Sequence, residues 1–261
     1  MKIQELDWVT HTHTDYYDVC NIYDGEMPSY LWGNDFWENH YYLINSNHKF
    51  NKEDFKLSGN IFYYDEDLSY PIRLINILSN LKSEIVVLDH EDMILYSQAN
   101  LKEINKAINL ISKNKLDSVR FIKNINAKYI KIPEISSVEM INPNSDWIFS
   151  IQPSIWRRNT LITLLKKNLN VNLWQLEYKS QKVVRKLGIK IGVLAGDCNQ
   201  RGMYHCDSEY YPYIATALFK GKWTISEYPK ELQVLLQDIW LLILVEIKCM
   251  VLHIAKQEIN T

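Results

Sequence analysis

The stretch SEIVVLDHEDMIL, residues 83–95, decides the fold of this chain. Its apolar run, Ile85 to Leu88, is rich in β-branched residues and bounded by charge, as is typical of a buried strand in a parallel sheet. Four polar residues, Asp89-His90-Glu91-Asp92, follow the run directly. Open α/β sheets bind ligands outside the carboxyl ends of their strands. The stretch therefore predicts a central strand that delivers acidic side chains to a binding site.

A helix and three further strands are predicted before this stretch. The strands are expected at residues 6–10, 40–44 and 59–64. The helix is expected from Pro71 to Leu81, because proline suits a first helical position and apolar residues recur at three- and four-residue spacing, at Ile72, Ile75, Leu78 and Leu81. A strand, a helix and a strand of these lengths predict a right-handed parallel crossover. The fold class is therefore α/β: a Rossmann-like, mostly parallel central sheet flanked by helices.

The rest of the chain continues the alternation of helix and strand. Helices are expected at 101–114, 160–167 and 174–187, the last ended by Gly188, and strands at 118–123, 128–132 and 147–152. Residues 16–40 are rich in aromatic residues and are expected to form loops, punctuated by Gly25, Pro28 and Gly33. A long apolar helix is expected at 230–256. We therefore predict one domain over residues 1–229 and a C-terminal apolar helix over 230–261.

Composition excludes several classes of protein. The formal net charge of −2 gives no basis for nucleic-acid binding. The four cysteines are scattered without a C-x-x-C repeat, which argues against structural zinc and favours reduced thiols in a cytoplasmic protein. The N-terminus lacks the apolar core of a signal peptide. The most apolar segment, residues 239–245, is too short to span a membrane, which needs about 20 apolar residues.

Three groups of residues are candidates for chemistry. The acids at 89–92 could hold Mg²⁺ or Mn²⁺, and through the cation a phosphate, or they could simply solvate a turn. The polar loop His11-Thr12-His13 after the first strand could dock a nucleotide, ligate a metal, line a pocket or lie in solvent. On the helix at 174–187, Trp174 and Glu177 are neighbours at i, i+3, which would partly desolvate the carboxylate if the ring covers it.

Four stretches occur in the same order as in a known family. They are Tyr70-Pro71-Ile72-Arg73 through Asp92-Met93-Ile94-Leu95, the segment SIQPSIWRRN at 150–159, NLWQLE at 172–177, and YPYI at 211–214 through FKGKW at 219–223. They resemble the D-x-D variant, the S-x-Q-P-x-x-W-[RK]-[RK] segment, the N-x-W-x-x-E motif and the K-G-K-W ending of small nucleotide-sugar glycosyltransferases of the GT-A type. These enzymes occur in bacterial surface-polysaccharide clusters and large DNA viruses. The resemblance covers roughly residues 5 to 228.

The resemblance implies a GT-A-like fold, a nucleotide-diphosphate-sugar donor, a glycan or other hydroxyl acceptor, and Mn²⁺ or Mg²⁺ as cofactor. Glu177 would be the general base of an inverting transfer. Asp92, with Asp89 or Glu91 beside it, would hold the metal and the donor diphosphate. The residues expected to contact the nucleotide donor are Thr10, His11, Thr12, Asp65, Arg73, Asp89, Glu91 and Trp156.

The sequence departs from the family pattern at two positions. The acid motif reads D-H-E-D, and Gln175 stands where the family often has an acid. Two other functions remain open: a nucleotidyltransferase or metal-dependent hydrolase using the same acids, which usually carries a glycine-rich phosphate loop that is not found here, and a non-catalytic glycan-binding module. The C-terminal helix is expected to contact a membrane surface, a second copy of the chain, or the core.

Overall fold

The computed structural model describes residues 6–45, 57–133, 135–196, 199–201, 205–215, 218–219, 222–223 and 226–235. The main strands are β1 (Leu6–His11), β2 (His40–Asn45), β3 (Asn60–Tyr64), β4 (Ile85–His90), β5 (Ser118–Arg120), β6 (Tyr129–Ile132), β7 (Ile135–Ile141), β8 (Ser154–Arg157) and β9 (Ile191–Leu194). The helices are α1 (Tyr17–Tyr30), α2 (Tyr70–Asn80), α3 (Leu101–Ser112), α4 (Arg158–Lys166) and α5 (Leu173–Leu187).

Within these residues, one sheet has the strand order β3-β2-β1-β4-β8-β5-β9-β7-β6. The pairs β3–β2, β2–β1, β1–β4 and β5–β9 are parallel. β8 is antiparallel to both of its neighbours, β4 and β5, and β7 is antiparallel to β9 and β6. The predicted α/β class with a mostly parallel sheet is confirmed. Because β1 to β4 run the same way, their carboxyl ends meet at one edge of the sheet, called the carboxyl edge below.

The central strand is two residues longer than its apolar run. β4 continues through Asp89 and His90, which pair with Thr10 and His11 of β1. All six residues of β4 are buried. Two of the four polar residues therefore belong to the sheet itself, and only Glu91 and Asp92 follow it.

Helix α2 starts with a proline in its first turn, as predicted, and the structure shifts its buried face by one or two positions. The buried side chains are Tyr70, Pro71, Leu74, Ile77 and Leu78. They join the apolar residues of β1 and β4, Val9, Val86 and Leu88, in one core cluster. Ile72 and Ile75, expected on the buried stripe, are only partly buried. This packing fixes the start of α2 beside the end of β4.

The expectation of loops over residues 16–40 is wrong in its first half. Residues 17–30 form α1, and Pro28 lies in its last turn. Val19, Tyr23 and Met27 recur every four residues and are buried, which is the apolar stripe that holds the helix on the sheet. A 3₁₀ helix follows at Gly33–Asn39, and Phe36 packs edge-on against Trp8, with ring centroids 5.2 Å apart.

The strand expected at 147–152 is also wrong. The residues between β7 and β8 form no strand, and the strand of this region is Ser154–Arg157, after Pro153. Side chains satisfy the backbone of this segment in place of a neighbouring strand: Glu177 accepts from the Ile151 N–H at 2.7 Å, and Gln181 bonds both the N–H and the carbonyl of Phe149, at 3.1 and 2.7 Å. The helix after β8 starts at Arg158, two residues earlier than expected.

The chain divides into two compact units, residues 1–215 and 216–261. In the second unit, Leu218–Phe219 pairs antiparallel with Lys222–Trp223, and residues 229–235 are helical. The predicted C-terminal helix beyond residue 235, with its membrane-surface or oligomer contact, lies outside the described residues, and the domain boundary at 229/230 remains a prediction. No helix in the described part of the chain is long and apolar enough to cross a membrane.

Candidate active site at the carboxyl edge

Asp89 lies inside the fold, at the centre of a hydrogen-bonded network. Its side chain is fully buried; Oδ2 accepts from the Tyr23 hydroxyl at 2.9 Å and Oδ1 from the His90 N–H at 2.8 Å. Burial raises the pKa of Asp89 to about 7. The Tyr23 hydroxyl also accepts from the Trp8 indole at 3.2 Å and from Thr10 at 3.0 Å, and Thr10 Oγ1 lies 2.8 Å from His40 Nε2. The structure thus places Asp89 and Thr10 together, on the face of the sheet that α1 covers.

This network predicts a stability effect. Tyr23→Phe leaves Asp89, Trp8 and Thr10 without their shared buried partner, so we expect the free energy of unfolding to fall by about 1–3 kcal/mol. Urea denaturation measures it. The matched control is Tyr178→Phe, which alters a tyrosine that is 75% exposed and should change stability by less than about 0.5 kcal/mol. Equal stability of the two variants would contradict a structural role for the Tyr23 hydroxyl.

Glu91 and Asp92 form the acidic part of the edge. Burial, and then the neighbouring Asp92 carboxylate, raise the pKa of Glu91 well above its ordinary value, and burial raises the pKa of Asp92 to about 6. Among the described side chains neither acid has a cationic partner within salt-bridge distance. Two crowded carboxylates without a counter-charge suit a hard divalent cation.

The donor set at this edge is small. In the described part of the chain no three His, Cys, Asp or Glu side chains come together as a metal site. A cation here would therefore take one or two carboxylates and complete its coordination with phosphate oxygens and water, which is the usual arrangement for Mg²⁺ beside a nucleotide. The residues fit such a cation, with Asp92 and Glu91 as its protein ligands, whereas both oxygens of Asp89 already accept hydrogen bonds.

A cluster of rings occupies the opposite face of the sheet. His11 stacks on Tyr64 with centroids 5.2 Å apart and lies 5.7 Å from His90, and the Tyr70 hydroxyl is 2.9 Å from His90 Nε2. Burial lowers the pKa of His90 to about 4 and that of His11 well below its ordinary value, so both imidazoles are neutral at physiological pH. Two ring nitrogens of this cluster, His11 Nε2 and His90 Nδ1, are buried and have no hydrogen-bond partner in the described residues.

The other residues expected at the nucleotide fall in different places. Arg73 lies over the Tyr64 ring at 4.3 Å, and its guanidinium donates to the carbonyls of Leu68 and Glu66. Thr12 is buried beside β2 and its N–H donates to the Leu43 carbonyl at 2.9 Å. Asp65 is exposed after β3, where it caps the Asp67 N–H. Trp156 lies in the core, 1% exposed, and its indole N–H donates to Ser154 Oγ. A ligand could contact this ring only by displacing the side chains around it.

Glu177 projects from the first turns of α5 toward the segment before β8. An Asn172–Gln175 capping box starts the helix, which explains why glutamine stands at this position of the motif. The Glu177 carboxylate is half-buried and its Oε1 accepts from the Ile151 N–H. Burial raises its pKa, while the hydrogen bond from Ile151 and the charge of Arg120 act in the other direction. The expected cover by Trp174 is absent, since that ring is 74% exposed.

Tyr70 connects the two parts of the site. Burial raises the pKa of its hydroxyl most, and the negative charges of Glu177 and Glu91 raise it further. The charges of both carboxylates thus influence the pKa of one hydroxyl, although the two residues lie on different elements and far apart in the chain. Glu177 holds Ile151, three residues before Ser154, and Ser154 pairs with Leu88 near the end of β4, so the carboxylate of α5 and the acids after β4 belong to the same edge of the sheet.

Four residues of this region were not predicted. Tyr23 donates to Asp89, and Gln181 donates to the Phe149 carbonyl. Arg120, which is 2% exposed, donates to Ser150 Oγ at 2.9 Å. Tyr213 donates to Gln152 at 2.6 Å. The last contact joins the second and fourth motifs. Gln181 could have been found from its i, i+4 spacing to Glu177, whereas the other three act across distances in the chain that no local pattern reports.

The comparisons with known proteins show similarity of fold only. No protein-family model and no curated protein matches the chain. Solved structures with a similar fold include the 4-diphosphocytidyl-2C-methyl-D-erythritol synthase of Anaerococcus prevotii, with 15% identity and a TM-score of 0.46 over 81% of this chain and 92% of that one. TarS of S. aureus, residues 1–349, has 11% identity and a TM-score of 0.49 over 88% and 64%. The mannosyltransferase PcManGT of Pyrobaculum calidifontis, in complex with GDP-Man and Mn²⁺, has 11% identity and a TM-score of 0.43 over 74% of this chain and 55% of that one.

Proposed function

We propose that this chain is a glycosyltransferase that moves a sugar from a nucleotide-diphosphate sugar to a hydroxyl group, with inversion at the anomeric carbon. The observation that carries the proposal is the hydrogen bond from the Ile151 N–H to Glu177, which holds this carboxylate against the segment that enters β8 beside the end of β4, where Glu91 and Asp92 follow. It brings a candidate base and a candidate diphosphate site to the same edge of the sheet. The resemblance of four motifs to those of GT-A-type glycosyltransferases supports the same proposal.

Each group has a role in this chemistry. Asp92 and Glu91 would hold Mn²⁺ or Mg²⁺, which offsets charge on the leaving diphosphate when bound. Glu177 takes the proton from the acceptor hydroxyl as the oxygen attacks the anomeric carbon, and the raised pKa from burial makes its carboxylate a stronger base than an exposed glutamate. The hydrogen bond from Ile151 fixes one carboxylate oxygen and thereby orients the other.

A thermal-shift screen tests this function. We expect nucleotide-diphosphate sugars to raise the melting temperature only when Mn²⁺ or Mg²⁺ is present, by roughly 5–10 °C at a ligand concentration of about 100 times Kd. Transfer is then measured with the stabilising donor and a set of sugar acceptors. Stabilisation by a nucleoside triphosphate, followed by release of pyrophosphate, would instead assign the site to nucleotidyl transfer.

A further inference from the structure

A groove of about 620 Å³ runs along the outer side of α5, beside the segment that precedes β8. Two aromatic side chains line it, Trp147 and Tyr178, together with three cations, Lys179, Lys182 and Arg185, and one acid, Asp146. The groove does not contain the acids after β4. Gln181 lines the groove and donates to the Glu177 carbonyl at 2.8 Å, so the groove lies one helical turn from the candidate base.

Trp147 is held in an exposed and strained position. Its φ is +55°, a conformation that costs a residue other than glycine of the order of 1–3 kcal/mol, and its side chain is 41% exposed. Arg120 donates to its carbonyl at 3.3 Å, and Gln181 holds the backbone of Phe149, two residues on. Arg185 donates to the carbonyls of Pro143 and Ser145 on the other side. These contacts fix the backbone on both sides of Trp147, whose exposed indole lines the groove.

Tyr178 presents a second ring on a rigid element. It is 75% exposed, although it lies in the middle of a regular helix. Burying an aromatic ring is strongly favourable, and exposed aromatic groups beside polar residues mark binding surfaces. Rings held at the surface suit a ligand with flat apolar faces and a polar rim, which is the shape of a sugar ring.

The charge of the groove selects among such ligands. Arg185 uses its guanidinium on backbone carbonyls, but in the described part of the chain Lys179 and Lys182 form no ion pair. Both lysines are exposed, and they lie three residues apart on the same face of α5. Against the single acid, Asp146, they leave the groove positive, and it therefore favours an anion.

We propose that this groove binds an anionic oligosaccharide, with sugar rings on Trp147 and Tyr178 and carboxylate or phosphate groups on Lys179 and Lys182. Its role as the acceptor rests on the proposed glycosyltransferase function. A chain end that extends from the groove past Gln181, one helical turn along α5, would reach Glu177, the residue that would take the proton from its hydroxyl.

Tryptophan fluorescence titration or calorimetry of the full chain, without nucleotide, tests the groove. Tetragalacturonate is the probe, and neutral maltotetraose and sugar-free tetraphosphate are the comparison ligands. We expect tetragalacturonate to bind at least about tenfold more tightly than either, and more weakly as salt is raised. Tyr178→Ala and Lys182→Gln should each weaken binding about tenfold. Their matched controls on the same helix, Trp174→Ala and Lys186→Gln, should leave the Kd unchanged.

Any of four results would overturn the groove proposal: no binding of tetragalacturonate, equal affinity for maltotetraose, equal affinity for tetraphosphate, or equal losses in the variants and their controls. The nucleotide-sugar thermal shift is a separate readout. If the shift is present and the groove does not bind, only the groove proposal fails. If the groove binds and no nucleotide stabilises the chain, the glycosyltransferase proposal fails, and with it the role of the oligosaccharide as acceptor.

Discussion

Glu177→Gln lowers the rate of sugar transfer by about 10²–10⁴-fold and leaves the Kd for the nucleotide-sugar donor unchanged, if Glu177 is the general base. Glutamine keeps the side-chain oxygen that accepts from the Ile151 N–H at 2.7 Å, so the segment before β8 keeps its anchor. What the variant loses is the ability to take a proton. Single-turnover transfer rates, together with donor titration by calorimetry, separate these two effects.

A second substitution separates catalysis from structure. Glu177→Ala removes the hydrogen-bond acceptor as well as the base, so we expect the loss of transfer and, in addition, a decrease of about 1–3 kcal/mol in the free energy of unfolding. If Glu177 only anchors Ile151, then Glu177→Gln transfers sugar at the wild-type rate and Glu177→Ala alone is impaired. That outcome would remove Glu177 from the mechanism.

The pH dependence of the transfer rate is an independent test of Glu177 as the base. Burial raises the pKa of Glu177, so its carboxylate is protonated at a higher pH than that of an exposed glutamate. A base works only when deprotonated, and the wild-type rate must therefore decrease as the pH falls through this raised pKa. The residual rate of Glu177→Gln should lack this decrease. An identical acid limb in both proteins would assign the titration to another group.

Asp92→Asn is expected to weaken Mn²⁺ binding on the order of 100-fold and to abolish the metal-dependent stabilisation by nucleotide-sugars. Asparagine is nearly isosteric but is a poorer ligand for a hard cation than a carboxylate. Electron paramagnetic resonance of free Mn²⁺ measures the affinity without any turnover. Asp67→Asn, at an exposed acid after β3, is the matched control and should bind Mn²⁺ as the wild type does.

The neighbouring Asp89→Asn tests the division of labour along β4. Asp89 accepts from Tyr23 and from the His90 N–H inside the fold, so we expect this variant to lose stability in urea denaturation and to keep most of its Mn²⁺ affinity. If Asp89→Asn loses Mn²⁺ as completely as Asp92→Asn, both acids touch the cation and the buried network opens when metal binds.

The parts of the fold that local patterns determine could be predicted from the sequence. The run Ile85 to Leu88 has no polar residue to mislead, and Pro71 and the apolar spacing after it located α2 within one residue at each end. The acids were expected at the end of the strand, and two of them are there. The apolar run does not reveal that the pairing of β4 with β1 continues through Asp89. This pairing places one of the candidate metal ligands in the interior of the fold.

Both errors have causes in the tertiary structure, and the causes differ between the two segments. Residues 147–152 have the apolar content of a strand, but Glu177 and Gln181, from a helix about thirty residues later, occupy the hydrogen-bonding groups that a strand would need. In α1, Gly25 and Pro28 resemble loop punctuation, but Val19, Tyr23 and Met27 bury enough surface to outweigh their low helix propensity. Secondary-structure propensity and hydrophobic period describe an isolated segment. Packing against the rest of the chain decides which secondary structure that segment adopts.

The position of β8 has a consequence for synthesis on the ribosome. β8 separates β4 from β5, so a nascent chain that ends before residue 154 can assemble β1 to β4 but leaves one edge of β4 open. That edge belongs to a strand whose every side chain is buried in the finished protein. Open apolar edges pair with other chains. An interval of exposure to aggregation therefore begins when β4 emerges and ends when Arg157 does.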